Sequence, residues 1–117
     1  MTADELHVVV ETTDDGAVLI RVRGTLDGWS APSALVDALE EAAGSGGRLT
    51  VADLSRLEFA DSTALHALLN AHRRHAGAGV ALVLAGPLDT GVRRLFEVSG
   101  TLGAFTFADT VEAALRC

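Results

Sequence analysis

Hydrophobic and polar positions recur along this 117-residue chain with two different periods, and the switches between them mark its elements. Residues 6–11 read as a strand, and Asp14-Asp15-Gly16 has the composition of a hairpin turn. Residues 17–23 then alternate. Val18, Ile20 and Val22 face one way, and Leu19, Arg21 and Arg23 face the other. Gly24-Thr25-Leu26-Asp27 is expected to bend out of this strand. The period then lengthens. Ala31, Leu35, Ala38, Leu39 and Ala42 fall at i, i+4, i+7, i+8 and i+11, the buried stripe of a helix. Ser30 is its expected N-cap, with Pro32 tolerated in the first turn, and Gly44-Ser45-Gly46-Gly47 ends it.

The second half repeats strand and helix. Residues 49–54 predict a strand ending at Asp53, and residues 62–75 a helix striped by Leu65, Leu68, Leu69 and His72 and stopped by Gly77 and Gly79. Residues 80–85 are apolar throughout, which predicts a strand covered on both faces. Leu88, Val92, Leu95 and Phe96 stripe a third helix closed by Ser99-Gly100. Residues 104–107 form a short last strand. Asp109-Thr110-Val111-Glu112 has the pattern of a capping box opening a terminal helix through Leu115. Strands separated by helices imply βαβ crossovers. The predicted architecture is α/β: a mixed, mainly parallel sheet of four to five strands opened by an N-terminal hairpin and packed with about four helices. Neither a repeat nor a second domain is visible, so residues 1–117 read as one domain.

Composition narrows the class. Hydrophobic residues make up 49% of the chain, enough for a real core. Sixteen acidic residues stand against nine basic ones, all arginine, for a net charge of −7. That balance argues against nucleic acid or an anionic membrane as the main partner. The single cysteine, Cys117, excludes a disulfide framework and fits a reducing compartment. Met1-Thr2-Ala3-Asp4-Glu5 is acidic and lacks the apolar core of a signal peptide, and no apolar run is long enough to span a bilayer, so a cytoplasmic location is expected.

Chemistry concentrates in Phe59-Ala60-Asp61-Ser62-Thr63-Ala64-Leu65, between a buried-looking strand and a periodic helix. Two adjacent hydroxyls follow an acid at a helix start. Such residues serve as helix caps, and the same place is exposed, positively polarised by the helix dipole and able to carry a phosphate. Downstream, Ser62, His66, Asn70 and Arg73 fall at i, i+4, i+8 and i+11. They form one polar stripe, which reads either as a solvated face or as a docking surface.

Three segments together resemble the anti-sigma factor antagonist family, the STAS domain fold. Gly24-Thr25-Leu26-Asp27 is similar to the family's Gly-x-Leu-Asp turn. Asp53-Leu54-Ser55 followed by Phe59 to Leu65 resembles its strand and Asp-Ser-Ser/Thr-Gly-Leu signature. Val92-Arg93-Arg94-Leu95-Phe96-Glu97-Val98-Ser99-Gly100 is similar to its third-helix ending. The segments lie in family order, and the resemblance covers nearly the whole chain. It implies an anti-sigma factor antagonist. The unmodified form binds an anti-sigma factor that is also a serine kinase, frees a sigma factor, and is switched off by phosphorylation. A serine phosphatase resets it. Carried over, Ser62 is the phosphoacceptor and Asp61 orients the backbone and contacts the partner. Thr63 is a neighbour, and Asp27 falls beside the same site. No cofactor is implied. One position departs from the pattern: Ala64 stands where the family has glycine, a methyl group expected to hinder close approach of a partner, although a helical φ accepts alanine.

Other residues have plainer readings. Asp53 at a strand end is expected to cap its loop or bond backbone amides. Trp29 reads as a core-edge residue or a partner contact. His72 and His75 lack further ligands at metal spacing and read as packed or solvated. Arg73-Arg74 and Arg93-Arg94 read as surface charges, and Cys117 as a terminal thiol. Ser62 and His66 lie one helical turn apart, but no Gly-x-Ser-x-Gly elbow surrounds Ser62 and no orienting acid follows His66. There is no Gly-x4-Gly-Lys phosphate loop. A non-enzymatic reading follows. The alternative is an unswitched module of the same fold in a stress-signalling scaffold or a lipid-transport complex.

Overall fold

A computed structural model describes residues 6–27 and 33–116. Five strands form one sheet in the spatial order β1-β2-β3-β4-β5. β1 (His7–Thr12) and β2 (Val18–Leu26) are the antiparallel hairpin; β3 (Leu49–Ala60), β4 (Ala81–Ala85) and β5 (Thr106–Ala108) join in parallel. The hairpin turns where expected. Gly16 takes a φ of +89°, and its amide donates to the Thr13 carbonyl at 3.0 Å.

Four helices complete the fold: α1 (Ser33–Ala43), α2 (Ser62–Ala78), α3 (Thr90–Ser99) and α4 (Val111–Leu115). They divide unequally between the two faces of the sheet. α1, α2 and α3 cover one face, where Val18, Ile20, Val22, Ala52, Leu54, Leu82 and Leu84 meet Leu35, Leu39, Leu68 and Phe96 in the main core. Full burial of each such leucine contributes about 1.5–3 kcal/mol. On the other face α4 alone packs on Leu19, Leu49, Val51, Val83 and Ala85 through Val111, Ala114 and Leu115. β4 is therefore covered on both sides, as its unbroken apolar run predicts.

Several boundaries differ from the sequence reading. β2 does not bend at Gly24. That glycine has a φ of +104° yet stays in the strand, which runs on to Leu26. β3 does not end at Asp53 but continues to Ala60, because the prolonged β2 offers it a parallel partner. The pairing carries two irregularities, one between Arg21 and Arg23 and one between Gly24 and Thr25, each adding a residue to β3. α2 runs three residues past His75 and closes on Gly79, whose φ is +74°. Leu88 precedes α3 rather than lying on it, and β5 is Thr106–Ala108 rather than 104–107. α4 is capped by Thr110, whose hydroxyl accepts from the Ala113 amide at 3.1 Å. The expected box from Asp109 is thus shifted by one residue. The readings of Ser30, Ala31, Pro32, Trp29, Cys117 and the first five residues fall outside the described residues.

His75 is packed. It is almost fully buried on α2, with Nδ1 2.7 Å from the Ala71 carbonyl oxygen and Nε2 3.0 Å from the Thr50 hydroxyl. Nδ1–H donates to the carbonyl and Nε2 accepts from the hydroxyl, which is the neutral ring. Burial pushes its pKa below the ordinary histidine value. His72 packs edge-on against Phe105, ring centres 5.9 Å apart.

Candidate functional site

Strands β2 and β3 leave the sheet side by side, and the site is built where they end. Leu26 pairs with Ala60, so Asp27 and Asp61 are the next residues on adjacent strands. The Asp61 amide donates to the Leu26 carbonyl at 3.3 Å, tying the start of α2 to the end of β2. Asp61 itself is extended (φ −125°, ψ −163°) and is the N-cap of α2. Its Oδ1 accepts from the Thr63 amide at 2.9 Å, and its carbonyl accepts from the Ala64 amide at 2.9 Å. One orphan amide of the first turn is thereby satisfied by the cap side chain.

Ser62 is the first residue of α2 and is exposed. Its hydroxyl has no hydrogen-bond partner among the described residues. It sits at the positive end of a 17-residue helix. Thr63 is half-buried beside it. His66, Asn70 and Arg73 are all exposed, and the Arg73 guanidinium donates to Asn70 Oδ1 at 3.3 Å. The polar stripe is therefore a real surface that starts at Ser62. Asn70 also borders a small groove between α1 and α2 of about 80 Å³. The Arg74–Glu40 ion pair, 3.6 Å long, sits at the same α1–α2 junction.

Ala64 lies elsewhere. It is 1% exposed and belongs to the main core. Its methyl group points into the protein, so the expected hindrance to a partner at this position does not arise.

One feature is invisible in the sequence pattern. Phe59 is 52% exposed although Leu57, two residues earlier, is buried. In a regular strand both would share a face. The extra residue at Glu58 turns the aromatic ring outward, two residues before Asp61 in the chain. Asp53 behaves as its plain reading expects: it is buried, and its Oδ1 accepts from the Ser55 amide at 3.0 Å and the Ser55 hydroxyl at 2.7 Å. Among the described residues no cluster of His, Cys, Asp and Glu could hold a metal ion, and no helix is long and apolar enough to cross a membrane.

A mixed, hairpin-led sheet with three helices on one face and one on the other is a fold shared with known proteins. Residues 8–114 match the STAS domain, and the chain belongs to that family. Within it the likeness is to anti-sigma factor antagonists. A crystal structure of an anti-sigma factor antagonist from Mycobacterium paratuberculosis is 25% identical with a TM-score of 0.83, covering 97% of this chain and 93% of that one. The anti-sigma factor antagonist SpoIIAA in its unphosphorylated form is 23% identical with a TM-score of 0.76, covering 94% and 95%. The Bacillus cell fate determinant SpoIIAA in its phosphorylated form is 23% identical with a TM-score of 0.70, covering 94% and 98%. No curated protein sequence matches the chain.

Proposed function

We propose that this protein is an anti-sigma factor antagonist controlled by phosphorylation of Ser62. The unmodified form docks an anti-sigma factor that is also a serine kinase, through Asp27, Asp61, Thr63, His66, Asn70 and Arg73, and so releases a sigma factor for transcription. Phosphorylation ends the docking, and a serine phosphatase restores it. The observation that carries this reading is the exposed, unengaged Ser62 hydroxyl at the amino end of α2.

Electrostatics supports the direction of the switch. A phosphate adds about −1.5 to −2 charges at neutral pH. The helix dipole favours an anion there by roughly 0.3–1 kcal/mol, so the modified fold holds. The cost falls on the partner, which meets a hydrated dianion beside Asp61 and Asp27. Phe59, exposed two residues before Asp61, offers such an interface an apolar contact. The internal Ala64 methyl supports this reading over the unswitched alternative, because it puts no obstacle on the surface beside Ser62.

The test is incubation with the cognate kinase and ATP, followed by intact mass. A single phosphate on wild type and none on Ser62→Ala is the expected result. No mass gain with an active kinase would return the chain to the class of unswitched modules.

A further inference from the structure

We propose that the bare half of the sheet is a second docking surface, which takes an extended acidic segment of a partner polypeptide. The proposal is independent of Ser62, because this surface is on the face opposite α2.

The short α4 covers β3, β4 and β5 and, on β2, the start of the strand at Leu19. Toward β1 the same face stays open, and His7, Val9, Arg21, Arg23 and Arg56 are exposed on it. The first irregularity of β3 sets their register. Arg21 is opposite Asp53, but one residue is added before the next pairing, and Arg23 is opposite Arg56. On its other side Arg23 is opposite His7. A row of one histidine and two arginines thus crosses three adjacent strands of an acidic protein. Without the added residue Arg23 would face Ser55. The buried Asp53 holds that residue in place through its two bonds from Ser55.

The arginines of this face are not equivalent. Arg21 is neutralised by Glu11 at 3.1 Å and by Asp53 at 3.4 Å. Arg48, Arg74 and Arg93 also have carboxylate partners. Arg23 and Arg56 have none among the described residues. Like charges directly opposite on neighbouring strands are unfavourable. An anion lying between them removes that cost.

The shape selects the kind of anion. A groove of about 450 Å³ runs from His7 and Val9 to Arg56, and a second of about 360 Å³ runs from Arg23 and Arg56 to Pro87 and Leu88. They meet at the two arginines. Together they make a long, shallow trough with the two arginines in its middle; the paired Arg21 and Asp53 line one end, and Glu58 and Asp89 line the other beside Pro87 and Leu88. Small-molecule sites enclose most of their ligand, which this trough does not do. An extended chain whose acidic side chains are confined to its centre matches the length of the trough and the unpaired Arg23 and Arg56, while Glu58 and Asp89 exclude further carboxylates from one end.

The test uses a short fluorescein-labelled peptide of alternating glutamate and threonine, with a lysine–threonine peptide as control, followed by anisotropy at low ionic strength. The glutamate peptide binds wild type, and the Arg23→Gln/Arg56→Gln double variant loses about tenfold or more in affinity. Arg74→Gln, on the opposite face, binds as wild type does. The double variant melts at or above the wild-type temperature, because a repulsion has been removed rather than a contact. Equal affinity of the double variant, or equal binding of the lysine peptide, overturns the proposal. So does pyrophosphate shifting the Arg23 and Arg56 amide signals where the peptide shifts neither. Co-sedimentation with phosphatidylglycerol vesicles in place of peptide binding overturns it in favour of a membrane surface.

Discussion

Helices α2 and α3 begin alike. Each has an aspartate N-cap, Asp61 or Asp89, whose Oδ1 accepts from the amide two residues on at 2.9 Å. Each then has an exposed hydroxyl as its first residue, Ser62 or Thr90, and each ends on a glycine with φ near +75°. The surroundings differ. The amide of Asp61 is bound to the end of β2, with Asp27 alongside, Phe59 turned outward and a polar stripe running down the helix. Asp89 follows the loop after β4, and behind Thr90 the exposed face holds Arg93 paired with Glu97 at 3.1 Å. A capped hydroxyl at a helix start is ordinary helix hardware. Two strand ends and an exposed aromatic ring two residues before Asp61 are what set the start of α2 apart from that of α3.

The comparison breaks or sharpens at the hydroxyls first. Ser62→Asp is expected to weaken binding of the kinase partner by about 3 kcal/mol, more than a hundredfold, while Thr90→Asp changes it less than about twofold. Calorimetric titration of both variants decides this, and equal losses would erase the distinction between the two helix starts. Next come the caps. Asp61→Ala and Asp89→Ala should each cost about 1 kcal/mol in urea denaturation, because each removes one cap bond. Only Asp61→Ala should also weaken partner binding. A smaller effect belongs to the phosphate itself, which should raise the stability of the folded chain by roughly 0.3–1 kcal/mol in low salt, the carboxylates of Asp61 and Asp27 holding it to the lower end. A fall in stability on modification would mean that the switch deforms the fold.

The least effect near neutrality is that of pH, and it belongs to α2 alone, since α3 carries no histidine. The buried ring of His75 is neutral, with its pKa below the ordinary value. Its contribution is full above about 6.5, the unfolded pKa, and is lost as pH falls from there through the folded pKa. The urea midpoint of wild type should fall on acidification from neutral pH, and that of His75→Asn should fall less. Parallel curves would assign the acid sensitivity to other groups.

Much of this was legible in the sequence. The alternation of Val18, Ile20 and Val22, the apolar run of β4 and the leucine stripe of α2 each follow from one period and one covered face. The order of elements and the acid–hydroxyl helix start came with them. What the pattern hid was the pairing of β2 with the second half of β3. Ser55-Arg56-Leu57-Glu58 looks like a polar loop because one face there is bare and two added residues break the parity. Those same two residues turn Phe59 outward and set Arg56 opposite Arg23. Periodicity is blind to both, since a bulge is a relation between two strands and not a property of either one.

The inward methyl of Ala64 has a consequence for how Ser62 is approached. Alanine narrows the freedom of the unfolded chain where glycine would widen it. The first turn of α2 is thus held wound by its cap, by the core beneath and by its own sequence. Under the proposed function, a kinase that acts on this serine meets a finished shape, not a loose substrate strand. A peptide cut from residues 56–68 should be a poor substitute for the intact domain.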